Sequence, residues 1–274
     1  AEAFADAPSE ATLGAAQTAL RDARMAWQDA NLFGFGPADN LALRGTLNTF
    51  PTDASRIEAN VASGTYVIGA VVNADAVGFP ALDYLLHGAS DAEILAAFAQ
   101  DSRKDYLRDN LSFIQTAVSQ TASNWENGYQ ENFLSASNAG TDTGSSLGMV
   151  INAMTLHYER FLRDGKIGIP AGVRSAGVPR PTLVESVYGG YSVDLAVANL
   201  EAFKRLFLGN TLAGAEGVGL DDNLEALAAA PLAESIVAEI DEAIAAVQNL
   251  PDPKDPQIQA DNQLAITAFQ QMQD

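Results

Sequence analysis

The segment 78–88, GFPALDYLLHG, contains an aspartate and a histidine at a spacing that allows them to act together. Pro80 suits the first turn of a helix and Gly88 suits its C-terminal end. Asp83 and His87 are four residues apart, so both side chains leave the same helix face. They could share a proton or give two ligands to a hard or borderline metal ion. Alternatively, a charged His87 near the helix C-terminus pairs with Asp83, and both interpretations stay open.

Other candidates for chemistry have ordinary structural explanations. His157 lies in a predicted helix and is expected to be a half-exposed structural histidine. Four aromatic residues could line an apolar pocket, although aromatics at these spacings usually belong to the core: Trp27, Phe33, Phe35 and Phe50. The chain has no Cys, which removes disulfides, thiolate metal sites and cysteine nucleophiles. The motifs HExxH, GxSxG, GxGxxG and the Walker loop are also absent.

Helical periodicity dominates the chain and predicts an all-α fold. Apolar residues recur at three- and four-residue steps through each predicted helix. Capping patterns support three helix starts: Ser90 with Glu93, Ser192, and Asp222 with Glu225. The one β-branched run, 66–72, would be a strand without a partner. The predicted helices span 9–31, 90–121, 145–165, 192–208, 221–230, 232–248 and 257–273.

The charge balance limits the classes of partner. The 274 residues include 15 Lys and Arg against 35 Asp and Glu, a formal charge of −20. Nucleic acids and anionic lipid surfaces need clustered basic residues, and here these are scattered. A cation, a basic partner or a neutral ligand fits this acidic protein better.

Targeting and domain signals are sparse. No run reaches the ~20 apolar residues of a membrane span. The first ten residues lack the basic and apolar regions of a secretory signal, so we expect a soluble chain that is mature or trimmed. The length allows one large domain or two smaller ones. Asn, Gly, Ser and Thr are enriched between residues 123 and 146, which makes this stretch the candidate boundary between domains 1–135 and 136–274.

Several short segments match the pattern of one protein family in order and spacing. They cover roughly residues 15–260: AWQDA at 26–30, FGP at 35–37, GFPALDYLL at 78–86, DGKIGIP at 164–170, VES at 184–186 and YS at 191–192. With these segments the chain resembles the imelysin-like proteins, a bacterial cell-envelope family named for an insulin-cleaving membrane protease.

The resemblance implies an all-α fold of two packed helical-bundle domains. It also implies a lipoprotein or secreted protein of the periplasm or cell surface, linked to iron uptake and, in some members, to peptidase activity. The family's lipid-anchor cysteine is absent from this chain. Membrane attachment is therefore expected only through an anchor that this chain does not contain.

The chain departs from the family at its signature, Gly-x-His-x-x-Glu. The matching positions are Gly78, Pro80 and Asp83, so a proline stands where the family has histidine. Proline has no side-chain lone pair and cannot bind a metal ion or transfer a proton. A zinc peptidase needs a metal-bound water and about three protein ligands. His87, one turn later, lies about 6 Å further along the helix axis, too far to serve an unchanged site.

These features favour a non-catalytic binding or accessory protein in the iron-uptake context. The groove between the two domains is the expected ligand site. Its ligand would be a small molecule, a metal ion such as iron, or an envelope protein. The residues predicted to line it are Asp83, His87, Tyr84 and Trp27 from the first domain, Glu185 from the second, and Arg24 as counter-ion to a buried carboxylate.

Two alternatives remain. One is a metal-dependent peptidase that uses Asp83, His87 and Glu185 around one divalent ion. The other is a protein-interaction module whose negative charge steers a basic partner.

Overall fold

The structure is a computed structural model that describes residues 1–273, and it consists of α-helices joined by loops. These residues contain no β-strand, so the predicted all-α class is confirmed. The β-branched run 66–72 forms turns instead, ending in the 3₁₀ segment Val71–Asn73. No helix in the described part of the chain is both long and apolar enough to cross a membrane.

The helices vary from one turn to nearly seven. Their bounds are α1 Glu2–Asp6, α2 Glu10–Ala30, α3 Pro37–Asn40, α4 Leu43–Leu47, α5 Ala54–Ser63, α6 Gly78–His87, α7 Asp91–Ala97, α8 Asp101–Asn124, α9 Gln130–Phe133, α10 Ser146–Leu156, α11 Ile169–Ala171, α12 Ser192–Phe207, α13 Leu220–Ala226, α14 Ala230–Gln248, α15 Lys254–Ala260 and α16 Gln263–Gln271. A kinked segment, Trp125–Tyr129, follows α8, and a wide π-helical segment, His157–Gly168, joins α10 to α11.

The described chain divides into two compact units. Unit 1 comprises Ala1–Ala26, Phe33–Ala153 and Glu185–Gly189. Unit 2 comprises Trp27–Leu32, Met154–Val184 and the chain from Gly190 onward. This division differs from a single boundary between residues 135 and 136. Residues 136–153 pack with unit 1, and each unit takes one short segment from between stretches of the other.

Helix α6 is the most completely buried helix of unit 1. Every residue from Gly78 to Leu86 except Tyr84 is buried. A helix that is apolar on all sides is typical of a core position. It packs against α4, α5, α7 and α8, and these contacts fix the side chains that leave it.

The predicted helix 90–121 is two helices, which corrects the sequence interpretation. The capping box at its start is present, because the Glu93 carboxylate accepts from the Ser90 N–H at 3.0 Å. The chain then tightens after Ala97, where the Gln100 N–H donates to the Ala97 carbonyl at 3.2 Å. Phe98 is fully buried against Phe4, with ring centroids 4.6 Å apart. The apolar stripe continues across the break, so periodicity alone could not reveal it.

His157 in unit 2 is fully buried, so the expected half-exposed histidine is wrong. Its Nε2 lies 2.6 Å from Asn199 Oδ1, and Asn199 Nδ2 donates to the Gln28 carbonyl at 2.8 Å. Lys166 Nζ donates to Gln28 Oε1 at 3.0 Å, and Lys254 Nζ donates to the Lys166 carbonyl at 2.8 Å. His157 begins the π-helical segment, whose turns contain more residues than the 3.6 of an α-helix. A 3.6-residue period therefore could not predict which side of this segment is buried.

Two helix starts in unit 2 differ from the predicted caps. Ser192 is the first residue of α12 rather than the cap preceding it. Asp252, from a distant loop, accepts hydrogen bonds from the Val193 N–H at 2.8 Å and the Asp194 N–H at 3.2 Å. At α13, Asp222 accepts from the Gly219 N–H at 2.8 Å, one turn before the predicted pair with Glu225.

Replacing Asp252 with alanine is expected to lower the free energy of unfolding by about 1–2 kcal/mol, because two N–H groups at the start of α12 lose their acceptor. Urea denaturation followed by circular dichroism measures the change. The control is Glu201→Ala on the same helix, an exposed residue that caps nothing. A loss no larger than that of Glu201→Ala would contradict the capping role.

Candidate functional site

A glycine and a proline begin the family-like helix α6. Gly78 has φ +80°, and a Cβ added there would lie 2.5 Å from the Leu47 carbonyl oxygen. Its N–H donates to Asn110 Oδ1 at 2.9 Å. Pro80 is buried in the first helical turn, where an N–H would have no intrahelical acceptor. The backbone therefore requires glycine at position 78 and accepts proline at position 80.

Three charged side chains meet in the interior of unit 1 and form what we call the acid–arginine cluster: Arg24 of α2, Asp83 of α6 and Glu185. Arg24 Nη1 lies 3.2 Å from Asp83 Oδ1, and Arg24 Nη2 lies 3.8 Å from Glu185 Oε1. Their side chains are 0%, 2% and 1% exposed. Glu185 was expected in the second domain, but the segment Glu185–Gly189 packs within unit 1.

Neutral hydrogen-bond donors to the two acids complete the cluster. None of these donors is predicted from the sequence. Ser186 Oγ donates to Asp83 Oδ1 at 3.1 Å, and the Tyr188 N–H donates to Asp83 Oδ2 at 3.2 Å. Asn48 Nδ2 donates to Glu185 Oε1 at 2.8 Å. Ser186, next to Glu185 in a family-like segment, could have been suspected. Asn48 carries no such sequence signal.

The electrostatics of the cluster follow from its burial. Removing a charge from water costs several kcal/mol per ion unless a close partner and hydrogen bonds compensate it. Here each acid has both, since Arg24 contacts the two carboxylates and neutral groups donate to their oxygens. Residues 1–273 contain no group of three or more His, Cys, Asp or Glu side chains arranged to hold a metal ion. The arrangement is a buried ion-pair network that holds helix α6 and residues 185–188 together.

His87 and Tyr84 lie on the less buried part of α6. Tyr84 Oη donates to Glu58 Oε1 at 2.8 Å, and Arg103 donates to both oxygens of Glu58 at 3.0 and 2.8 Å. The Tyr84 ring also meets Tyr188 edge-on, with centroids 5.2 Å apart. Burial lowers the pKa of His87 below its ordinary value, while the Asp83 charge acts in the opposite direction.

His87 is expected to titrate with a midpoint below 6.5 in an NMR pH titration, because burial disfavours the imidazolium. Protonation of His87 therefore destabilises the folded state as the pH falls below the pKa that His87 has in the unfolded chain. Asp91→Asn should lower the midpoint further, since the Asp91 charge raises the pKa of His87. A midpoint at or above 6.5 in the wild-type chain would show that the acids outweigh burial.

The four aromatic residues considered as a pocket lining are divided between the two units. Trp27 is buried within unit 2, whereas Phe33, Phe35 and Phe50 belong to unit 1. Phe35 packs with Trp125 and Phe133, with ring centroids 5.9 and 5.6 Å away. This is a packing cluster around the kinked segment.

A surface pocket of about 350 Å³ lies between α12 and α14 in unit 2. None of the predicted site residues lines it. Its walls are formed by Glu201, Lys204, Arg205, Leu208, Asn210, Asp241 and Ile244.

The fold and the cluster define an all-α protein with a buried network of one arginine and two acids in unit 1. The family model described as Imelysin, peptidase M75, matches residues 1–273. The chain belongs to the imelysin family, which confirms the resemblance read from its segments.

The chain is similar to one relative in sequence and to two solved structures in fold. Iron-regulated protein A of Synechococcus elongatus is 32% identical over 108 residues, which span 38% of this chain and 29% of that protein. A structure described as an iron-regulated protein A precursor, from Parabacteroides distasonis, superposes with a TM-score of 0.75 at 20% identity, covering 98% of this chain and 83% of its own. An imelysin-like protein of Psychrobacter arcticum superposes with a TM-score of 0.61 at 16% identity, covering 97% and 81%.

Proposed function

We propose that this protein is a non-hydrolytic binding or accessory component of iron acquisition at the bacterial cell envelope. The observation that carries the proposal is Pro80, which stands within a buried helix where the family motif has its imidazole. A chain without that nitrogen lacks a principal ligand for a catalytic metal ion. What remains of the family's properties is binding and the association with iron.

The names of two relatives support the iron-related part. Iron-regulated protein A of Synechococcus elongatus matches part of this chain, and the Parabacteroides distasonis protein is called a precursor of such a protein. A precursor loses a segment on maturation, which is the usual route of an envelope or secreted protein. The formal charge of −20 favours a cationic or basic ligand.

Peptide hydrolysis is the decisive test of the non-hydrolytic part. The purified chain should not cleave an unfolded polypeptide above the buffer rate, with or without added Zn²⁺ or Fe²⁺. Cleavage that a chelator stops, and that Asp83→Asn abolishes, would instead establish the metal-dependent peptidase using Asp83, His87 and Glu185.

The iron-related part is tested in the bacterium that encodes the chain. Protein abundance, measured by quantitative mass spectrometry, should rise at least threefold when iron is withdrawn. An unchanged abundance under iron limitation would contradict this part without affecting the result of the hydrolysis assay.

The ligand residues are proposed to include the side chains of α6 that are only partly buried, His87 and Tyr84. Ferric citrate and hemin are suitable probes, because imidazole and phenol oxygen both bind ferric iron. His87→Ala should weaken binding of the probe that the wild-type chain binds by at least tenfold. Arg108→Ala is the matched surface control, and equal binding by both variants would remove α6 from the ligand site.

A further inference from the structure

The acid–arginine cluster contains two ligands suited to a divalent cation, but a cation of the chain itself already lies against them. Asp83 and Glu185 are oxygen donors of the kind that hard metal ions prefer. We infer that Arg24 is the built-in counter-cation of Asp83 and Glu185, and that it occupies the place a divalent metal ion would take between them. The wild-type residues therefore do not fit a metal ion at this position.

The first step rests on charge and burial. The guanidinium group contacts an oxygen of each acid, at 3.2 and 3.8 Å, and the Arg24 side chain is 0% exposed. Arginine stays protonated under all ordinary conditions. A divalent ion placed against the same oxygens would face a fixed like charge a few Å away, where water screens little. The two cations therefore exclude one another.

The second step concerns the lone pairs of the carboxylates. Asp83 accepts from Ser186 Oγ and from the Tyr188 N–H, and Glu185 Oε1 accepts from Asn48 Nδ2. A metal ion bound to the same oxygens would compete with these buried donors for the carboxylate lone pairs. A buried donor that loses its acceptor destabilises the folded state. The network therefore favours the guanidinium, which contacts both carboxylates while the neutral donors keep their hydrogen bonds.

The third step concerns the number of ligands. Pro80, on the same helix as Asp83, offers no side-chain lone pair, so the cluster gives a metal ion two carboxylates, which support weak binding only when no guanidinium competes for them. With Arg24 in place, the acids have a structural task, which is to join α6 to the segment 185–188.

A variant that lacks the positive charge of Arg24 should differ from the wild-type chain in metal binding. Arg24→Met removes the guanidinium while keeping a long apolar stem, so the two buried carboxylates would keep only their neutral hydrogen-bond donors. An external divalent cation could then relieve their repulsion. The Arg24→Met variant is therefore expected to bind a metal ion that the wild-type chain does not bind there.

Cobalt(II) is the probe, because its visible absorption changes when protein ligands replace water. The wild-type chain should give no such change at equimolar Co²⁺. Arg24→Met should bind one Co²⁺ at least tenfold more tightly than the wild type, and Arg24→Met/Asp83→Asn should lose that gain. The matched control is Arg163→Met, which removes a buried arginine that pairs with Glu159 at 3.0 Å.

Two results would overturn the inference. One is a wild-type chain that binds one Co²⁺ and loses it in Asp83→Asn. The other is a folded Arg24→Met variant that binds no more tightly than the wild type. If Arg24→Met is unfolded without metal, Co²⁺ must restore its helical circular dichroism, and failure to do so also counts against the inference. None of these results depends on hydrolysis or on iron-dependent abundance, so the proposed function stands or fails separately.

Discussion

Replacing Arg24 with methionine is expected to lower the free energy of unfolding by about 3–5 kcal/mol, the usual cost of breaking a buried ion pair from one side. Both carboxylates are almost fully buried, and the guanidinium contacts each of them. Without it, two like charges remain in a medium that screens them weakly. Urea denaturation at pH 7 in the presence of EDTA measures the loss, since the chelator prevents rescue by trace metal.

Arg108→Ala is the matched control for this prediction. Arg108 pairs with Asp6 at 2.7 Å, but its side chain is 39% exposed and that of Asp6 is 69% exposed. Such a surface pair contributes about 0.2–1 kcal/mol. Adding Glu185→Gln to Arg24→Met should recover part of the loss, because one of the opposed charges disappears. An Arg24→Met variant as stable as Arg108→Ala would show that the cluster is not an energetic centre of unit 1.

Gly78→Ala is expected to cost about 2–4 kcal/mol, a left-handed backbone penalty together with overpacking. The residue has φ +80°, and a methyl group there would lie 2.5 Å from the Leu47 carbonyl oxygen and 2.8 Å from that of Thr46. These are backbone atoms, so no side chain can move to make room. Thermal and urea unfolding both measure the effect.

A glycine elsewhere in unit 1 tests whether the cost is local. Gly14 lies inside α2, and a Cβ added there would meet nothing within 4 Å. Gly14→Ala should therefore stabilise the chain by about 0.5–1 kcal/mol, through the better helix propensity of alanine. If Gly78→Ala were equally harmless, the close approach of α6 to α4 would not be rigid.

The sequence predicts the helices well where one apolar stripe runs through one regular helix. Helices α2, α12 and α14 fall close to their predicted ranges because a 3.6-residue period describes them. The prediction of helix bounds fails where the number of residues per turn or the direction of the helix changes while the apolar stripe continues. The tight turn after Ala97 and the wide segment His157–Gly168 are both of this kind. A hydrophobic period records which residues are buried, and it does not record how many residues each turn contains.

The candidate site was only partly accessible from the sequence. Asp83, His87 and Pro80 share one helix, so their spacing carries information about their geometry. Arg24 is 59 residues before Asp83, and Glu185 is 102 residues after it. Nothing in local spacing relates such positions, so the prediction of Arg24 as counter-ion to a buried carboxylate does not say which carboxylate it pairs with. Asn48 and Tyr188 contribute through contacts that only the tertiary fold creates.

The segment Glu185–Gly189 limits how this chain can be divided into fragments that fold, because it belongs to unit 1 but lies far from the rest of that unit in the sequence. A fragment ending at residue 153 contains nearly all of unit 1 but omits Glu185, Ser186 and Tyr188. Such a fragment would retain Arg24 and Asp83 with half of their network missing. Adding a synthetic peptide of residues 183–190 in trans should restore stability to the fragment, as in a split-protein complementation assay. Unit 1 is therefore complete only when residues 185–189 are present together with its two N-terminal stretches, whether in one chain or in two.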